Sequence, residues 1–167
     1  MSKEISLDDI KKFWPEKAPD INIVQKYVSK YEKEKIVIKY GGNVLIDRKV
    51  FNNFISDIYV LNKLGLSIIV VHGGGPRIKK KLNELKIETK FIMGLRVTDE
   101  KVIKVVEEVM IEFNKEIVAA LEKKGCQSKS ITIKENSSIY VEQKNKVLGY
   151  VGKPTKIDDK LIQKIIK

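Results

Sequence analysis

Sulfur and imidazole are scarce in this chain, which has one cysteine, Cys126, and one histidine, His72, among 167 residues. A lone cysteine excludes an intrachain disulfide. A Cys/His metal site or a nucleophile–histidine triad has equally little to work with, so no metal site is expected. No apolar run approaches the roughly 18 residues that span a bilayer. The opening stretch from Met1 to Trp14 is polar and lacks the apolar segment of a secretory signal. The expectation is a soluble, cytoplasmic protein in a reducing setting. A chain of this length buries about two-thirds of its unfolded surface and needs no staples.

Arginine is rare too. The net charge is +11, yet the only arginines are Arg48, Arg77 and Arg96, and the other cations are lysines spread along the whole chain. No basic stretch is interleaved with aromatics and no nucleic-acid motif occurs, so the charge reads as a solvated lysine surface and argues against nucleic acid as a partner. Several phosphate and acyl-transfer signatures are also missing. There is no G-x-x-x-x-G-K-[ST], the dinucleotide G-x-G-x-x-G fails at Ile78, and no G-x-S-x-G accompanies the HGGG run.

What the chain does contain is a strand–helix alternation. Ser6 and Asp9 suit the cap of a short helix through "LDDIKKFW", which Pro15 and Pro19 stop. A second helix follows, with Ile23, Val24, Tyr27, Val28 and Tyr31 as an apolar stripe that either packs on its own domain or docks a partner. "KIVIK" (35–39) predicts a strand and residues 48–64 a helix with Val50, Phe54, Ile58 and Leu61 on one face, ended by Gly65. "LSIIVV" (66–71) is apolar enough to predict a central parallel strand covered on both faces. Pro76 suits the first turn of the next helix, lined by Ile78, Leu82 and Leu85. Thr98 is the expected N-cap of a long helix with Val102, Val106, Val109, Phe113 and Ile117 buried, ending at Gly125. "SKSITIK" and "SSIYVEQ" alternate like strands, a hairpin turn is expected at "KN", and a last helix carries Leu161, Ile162 and Ile165. The fold class is α/β, a mostly parallel sheet with helices on both faces.

Two loops stand out. Strand–helix–strand places the ends of both strands on one sheet edge. There sit Tyr40-Gly41-Gly42-Asn43 and His72-Gly73-Gly74-Gly75-Pro76, each feeding a helix N-terminus. Bare backbone amides and a helix dipole suit phosphate or carboxylate oxygens, and Lys39 brings an ammonium to the same edge. Arg96, in "GLRVTD", offers paired donors that match a carboxylate.

Together "IVIKYGGN", "VVHGGGP" and "GLRVTD" followed by "NKEI" resemble the N-terminal half of the acetylglutamate kinases, a branch of the amino-acid kinase family. The resemblance runs in order from about residue 23 to residue 125 and more weakly beyond. It implies an amino-acid kinase-like, three-layer fold and ATP-dependent phosphorylation of the side-chain carboxylate of N-acetyl-L-glutamate, in arginine synthesis, with Mg2+-bound ATP as co-substrate. Carried over by motif, Lys39 stabilises the transferring phosphoryl group, Gly41, Gly42 and Gly73 lie along phosphates, Gly74 and Gly75 bind acetylglutamate, and Arg96 holds its α-carboxylate. It further implies a helical extension over residues 1–34, an acetylglutamate-binding lobe over 35–167, and an ATP-binding lobe beyond Lys167. The helix at 23–33 resembles that of hexameric, arginine-inhibited members, which implies a homo-oligomer (dimer or hexamer) and arginine as a feedback inhibitor. The chain departs from the family at "IKENSS" (133–138) and "GYVG" (149–152). Two other readings stay open on the residues alone: a non-catalytic ligand-binding or regulatory module of the same fold, and a basic nucleic-acid binder.

Overall fold

The computed structural model describes residues 8, 11–12, 14–31, 34–41 and 47–166. The Ser6–Asp9 cap and most of the short helix expected through Trp14 lie outside the described residues, as do Gly42 and Asn43.

Strand β1 (Lys35–Tyr40) and strand β2 (Ser67–His72) pair in parallel, joined through helix α2 (Arg48–Lys63). The register runs from Lys35 opposite Ser67 to Tyr40 opposite His72, so both strands end together. Asp47 caps α2 by accepting from the Lys49 and Val50 amides at 2.7 and 3.1 Å, and Gly65 at φ +84° follows the Leu64 C-cap. Only glycine takes that left-handed turn without cost.

One face of the strand pair is closed. Ile38, Tyr40, Ile68 and Val70 meet Phe51, Phe54, Ile55 and Ile58 of α2, and Phe113, Ile117 and Leu121 complete the cluster from helix α4 (Glu100–Lys123). The N-terminal half of α4 builds a second cluster, in which Val102, Val105 and Val109 pack on Ile78 and Leu82 of helix α3 (Gly75–Glu84). At 24 residues α4 is about 36 Å long, enough to serve both clusters. Phe113 and Val102 of α4 and Leu82 of α3 are the largest fully buried side chains among the described residues, each stabilising by about 1.5–3 kcal/mol.

The opposite face of β1–β2 differs from the expectation for a strand covered on both sides. Val37 is 62% exposed and Val71 49%, because among the described residues no helix lies over them. The α/β class and the parallel crossover stand.

Two further expectations are corrected. Asp99, not Thr98, caps α4. Its carboxylate accepts from the Val102 amide at 2.9 Å, while the buried Thr98 hydroxyl donates to the Arg96 carbonyl at 2.9 Å. "SITIK" is not a strand. The Thr132 and Glu135 backbones bond each other at 2.7 Å and Asn136 sits at φ +59°, so turn-forming side chains win over alternation. The α1 helix (Ile21–Tyr31) forms as expected; of the two alternatives for its stripe, packing on its own domain is not seen at Ile23, Tyr27 and Tyr31, which are exposed, although Ile21 at its start is buried.

Residues 91–96 make a tight hairpin, β3 (Phe91–Ile92) and β4 (Leu95–Arg96). A longer hairpin, β5 (Ile139–Gln143) and β6 (Gly152–Ile157), turns through a 3-10 segment capped by Asn145 rather than through a two-residue "KN" turn. It is followed by α5 (Asp159–Ile166). Among the described residues no helix is long and apolar enough to cross a membrane.

Candidate functional site

Register alone brings Gly41, at the end of β1, to the same edge as the loop Gly73–Gly75. The ladder of β1 and β2 continues one step past the strands, where the Gly73 amide donates to the Tyr40 carbonyl at 3.2 Å. That bond corrects one expectation, since it leaves no free N–H on Gly73 for a phosphate. The free donors belong to the first turn of α3, whose leading amides have no intrahelical acceptor.

Gly74 and Gly75 are glycines for different reasons. A Cβ on Gly74 would run into Met110 Sδ of α4, so close helix packing explains this buried residue. Gly75 has open space where its Cβ would be, is exposed, and has no left-handed φ. Among the described residues nothing requires glycine there. A ligand approaching the backbone does account for it.

Gly75 borders a cavity of about 1030 Å³ that Arg96 lines from the other side, with Lys79, Asn83, Thr89 and Phe91 between them. The hairpin aims Arg96. Its Nη1 donates to Thr89 Oγ1 at 2.7 Å, and its guanidinium lies 4.6 Å from the centre of the Phe91 ring. Behind it, Thr98 is clamped to the β5–β6 connection: its amide donates to the Leu148 carbonyl at 3.0 Å and its carbonyl accepts from the Tyr150 amide at 2.7 Å. Gly149 at φ +68° leaves no room for a Cβ against the Thr98 carbonyl. Gly149, the first glycine of "GYVG", therefore serves the clamp, and the second, Gly152, opens β6 opposite Gln143.

Lys39 and Gly41 are exposed at the β1 end of the edge and do not line this cavity. Lys39 alternates with Val37 along β1, opposite Val71, which puts its side chain on the open sheet face. The other two arginines have structural partners. Arg77 reaches Glu116 at 2.6 Å and lies 3.8 Å over the Phe113 ring, and Arg48 reaches the same carboxylate at 3.0 Å. Of the three arginines, Arg96 is the one that lines this cavity.

Chemically, this edge can hold a dianionic or zwitterion-free acidic ligand: amides at one end, a guanidinium pre-held by a hydroxyl and a ring at the other. The model of the amino acid kinase family matches residues 34–167, most of the chain.

The chain belongs to the amino acid kinase family.

It is similar to the acetylglutamate kinase of Pelagibacter ubique, 54% identical over 153 residues that are 92% of this chain and 53% of that protein. It is also similar to the acetylglutamate kinase of Bartonella bacilliformis, 40% identical over 81% of this chain and 50% of that protein. The chain thus spans about half the length of the curated relatives it matches. Among solved structures, N-acetylglutamate synthase from Neisseria gonorrhoeae, complexed with coenzyme A and N-acetyl-glutamate, aligns with a TM-score of 0.70 at 19% identity. It covers 88% of this chain and 35% of its own, a likeness of fold alone. The smu.665 protein of Streptococcus mutans aligns at 0.66 with 27% identity, over 79% of this chain and 54% of its own.

In this amino acid kinase chain, sequence reasoning missed the residues that hold the site residues. Thr89 and Phe91 set Arg96. Asn114, inside the "NKEI" stretch, reaches His72 at 3.3 Å. Glu116, two residues on, gathers two arginines. For Asn114 and Glu116 the only signal in the sequence was their place one and three residues after Phe113, a buried position of the long helix.

Proposed function

We propose that this chain supplies the N-acetyl-L-glutamate-binding half of an acetylglutamate kinase, acting in the cytoplasm in arginine synthesis. Residues 35–167 are the acetylglutamate lobe and residues 1–34 a helical extension. Supporting this are the relatives' shared name and, above all, the convergence of Gly75 and Arg96 on one cavity.

In this reading the Arg96 guanidinium takes the ligand's α-carboxylate, and the first-turn amides of α3 orient the rest of the molecule. The side-chain carboxylate that attacks phosphorus has a reference pKa of about 4.3 and is ionised at neutral pH, so no general base is required. Catalysis then rests on positioning and on neutralising charge. Lys39 supplies a cation for the transferring phosphoryl group, and Gly41 and Gly42 lie along the phosphates of ATP, which enters with Mg2+ as co-substrate. Because the chain spans half its relatives' length, residues outside it make most of the nucleotide contacts in this reading. The exposed stripe of Ile23, Tyr27 and Tyr31 joins copies of the chain into an oligomer. Removing residues 1–30 lowers the mass seen by light scattering if that is right, and leaves it unchanged if not.

Calorimetric titration with N-acetyl-L-glutamate tests the reading. Binding by the chain that is lost in Arg96→Ala supports it, and equal binding by both contradicts it.

A further inference from the structure

Behind the second glycine loop runs a chain of polar side chains that the proposed chemistry does not use. Ser130 Oγ lies 2.6 Å from Asn114 Oδ1, and Asn114 Nδ2 lies 3.3 Å from His72 Nε2. The chain begins in the 127–138 segment, crosses α4 and ends on the last residue of β2, immediately before Gly73. The imidazole is also wedged edge-on against Phe113, with ring centres 4.9 Å apart.

Atom types suggest the direction of these bonds. An O–H···O bond spans about 2.5–3.0 Å and an N–H···O bond about 2.7–3.2 Å. The 2.6 Å contact suits the Ser130 hydroxyl donating to the oxygen of the Asn114 amide. With the amide placed this way its nitrogen faces His72 at 3.3 Å and, as a donor, calls for an Nε2 that carries no proton. A neutral ring must then carry its proton on Nδ1. Burial keeps the ring neutral by lowering its pKa, against an opposing pull from the Gly73 backbone. Nδ1 itself is buried and has no partner at hydrogen-bonding distance among the described residues. A buried donor without an acceptor is costly, and this one lies beside the loop that receives the ligand in the reading above.

We infer that Ser130 and Asn114 are positioning residues that act on the glycine loop through His72, holding it as the Nδ1–H tautomer so that this proton bonds the Gly73 carbonyl when Gly73–Gly75 settles on a bound anion. The network thereby sets how the first-turn amides of α3 face the ligand. The ligand part rests on the acetylglutamate reading; the tautomer and the loop geometry do not.

The single histidine makes the test direct, because a chain carrying 15N-histidine gives one pair of ring nitrogen resonances. The expected wild-type spectrum has Nδ1 protonated and Nε2 bare, with Nδ1 moving when N-acetyl-L-glutamate is added. Asn114→Asp puts an acceptor opposite Nε2 and draws the proton there. The ring resonances then exchange roles, the Gly73, Gly74 and Gly75 amides shift, and acetylglutamate binds about tenfold more weakly or worse. Ser130→Ala frees the Asn114 amide to turn over and gives a mixture of tautomers, which keeps the test decisive if Asn114→Asp does not fold. A wild-type ring protonated on Nε2 overturns the inference. So does a tautomer that neither variant changes, or one that reverses while the glycine amides stay where they were. If the wild type binds no acetylglutamate, the functional reading falls, and the ring and amide resonances still judge the network.

Discussion

Arg77 Nη1 lies 2.6 Å from Glu116 Oε2, tying the first turn of α3 to the middle of α4. Each side chain is about one-third exposed, and the guanidinium covers the Phe113 ring at 3.8 Å. Arg48 joins the same carboxylate from α2, but its side chain is 76% exposed. Truncating Glu116 to alanine leaves Arg77 half-buried without its partner, and a loss of about 1–2 kcal/mol is expected in urea unfolding. Arg48→Ala should cost less than about 0.5 kcal/mol, because water already screens that pair.

The two neighbouring glycines separate packing from binding. Gly74→Ala drives a methyl group into Met110 and should destabilise by about 1–3 kcal/mol. Gly75→Ala meets nothing and sits in the first turn of a helix, so stability should hold or rise by up to about 1 kcal/mol. Its cost should fall on ligand affinity instead. Thermal unfolding and calorimetry of both variants check the contrast.

Stability should decline as the solution is made acidic, starting near neutrality. Burial holds the His72 pKa below its ordinary value, the Gly73 backbone opposes this, and the Arg77 charge adds to it. The unfolded chain therefore takes up the proton first as pH falls. Stability is complete above about 6.5, the unfolded value, and is lost as pH drops toward the lower folded value. Urea midpoints measured from about pH 8 to about pH 5 should fall, with the part due to this ring absent in His72→Gln.

The β3–β4 turn carries an unusual residue. Its two central positions are Met93 at φ +48° and Gly94 at φ +77°, a left-handed pair for which Asn-Gly is the favoured choice. Met93 is 98% exposed and loses no packing when replaced. Met93→Asn should stabilise the chain by about 0.5–1 kcal/mol in thermal unfolding.

The parallel βαβ unit, the long helix and the shared edge of the two glycine loops were legible in the sequence because each rests on local periodicity and on Gly or Pro at element ends. The Asp99 cap was misread because Thr98 is an equally good capping type, and its hydroxyl is engaged by the Arg96 carbonyl instead. "SITIK" alternates like a strand, yet Thr132, Glu135 and Asn136 form their own turn. For the site, Arg96 and Gly75 could be named from residue type and position. The groups that aim them could not, since Thr89 and Phe91 reach Arg96 across the hairpin and Asn114 reaches His72 across 42 positions.

The central claim is that Arg96 holds the α-carboxylate of N-acetyl-L-glutamate. The most direct measurement is a cycle of four affinities by calorimetry: wild type and Arg96→Ala, each titrated with N-acetyl-L-glutamate and with 4-acetamidobutyrate, the same molecule without that carboxylate. The expected result is a large loss for the truncated ligand on the wild type and almost none further on Arg96→Ala. Equal losses on both proteins would mean that the guanidinium and the carboxylate do not meet.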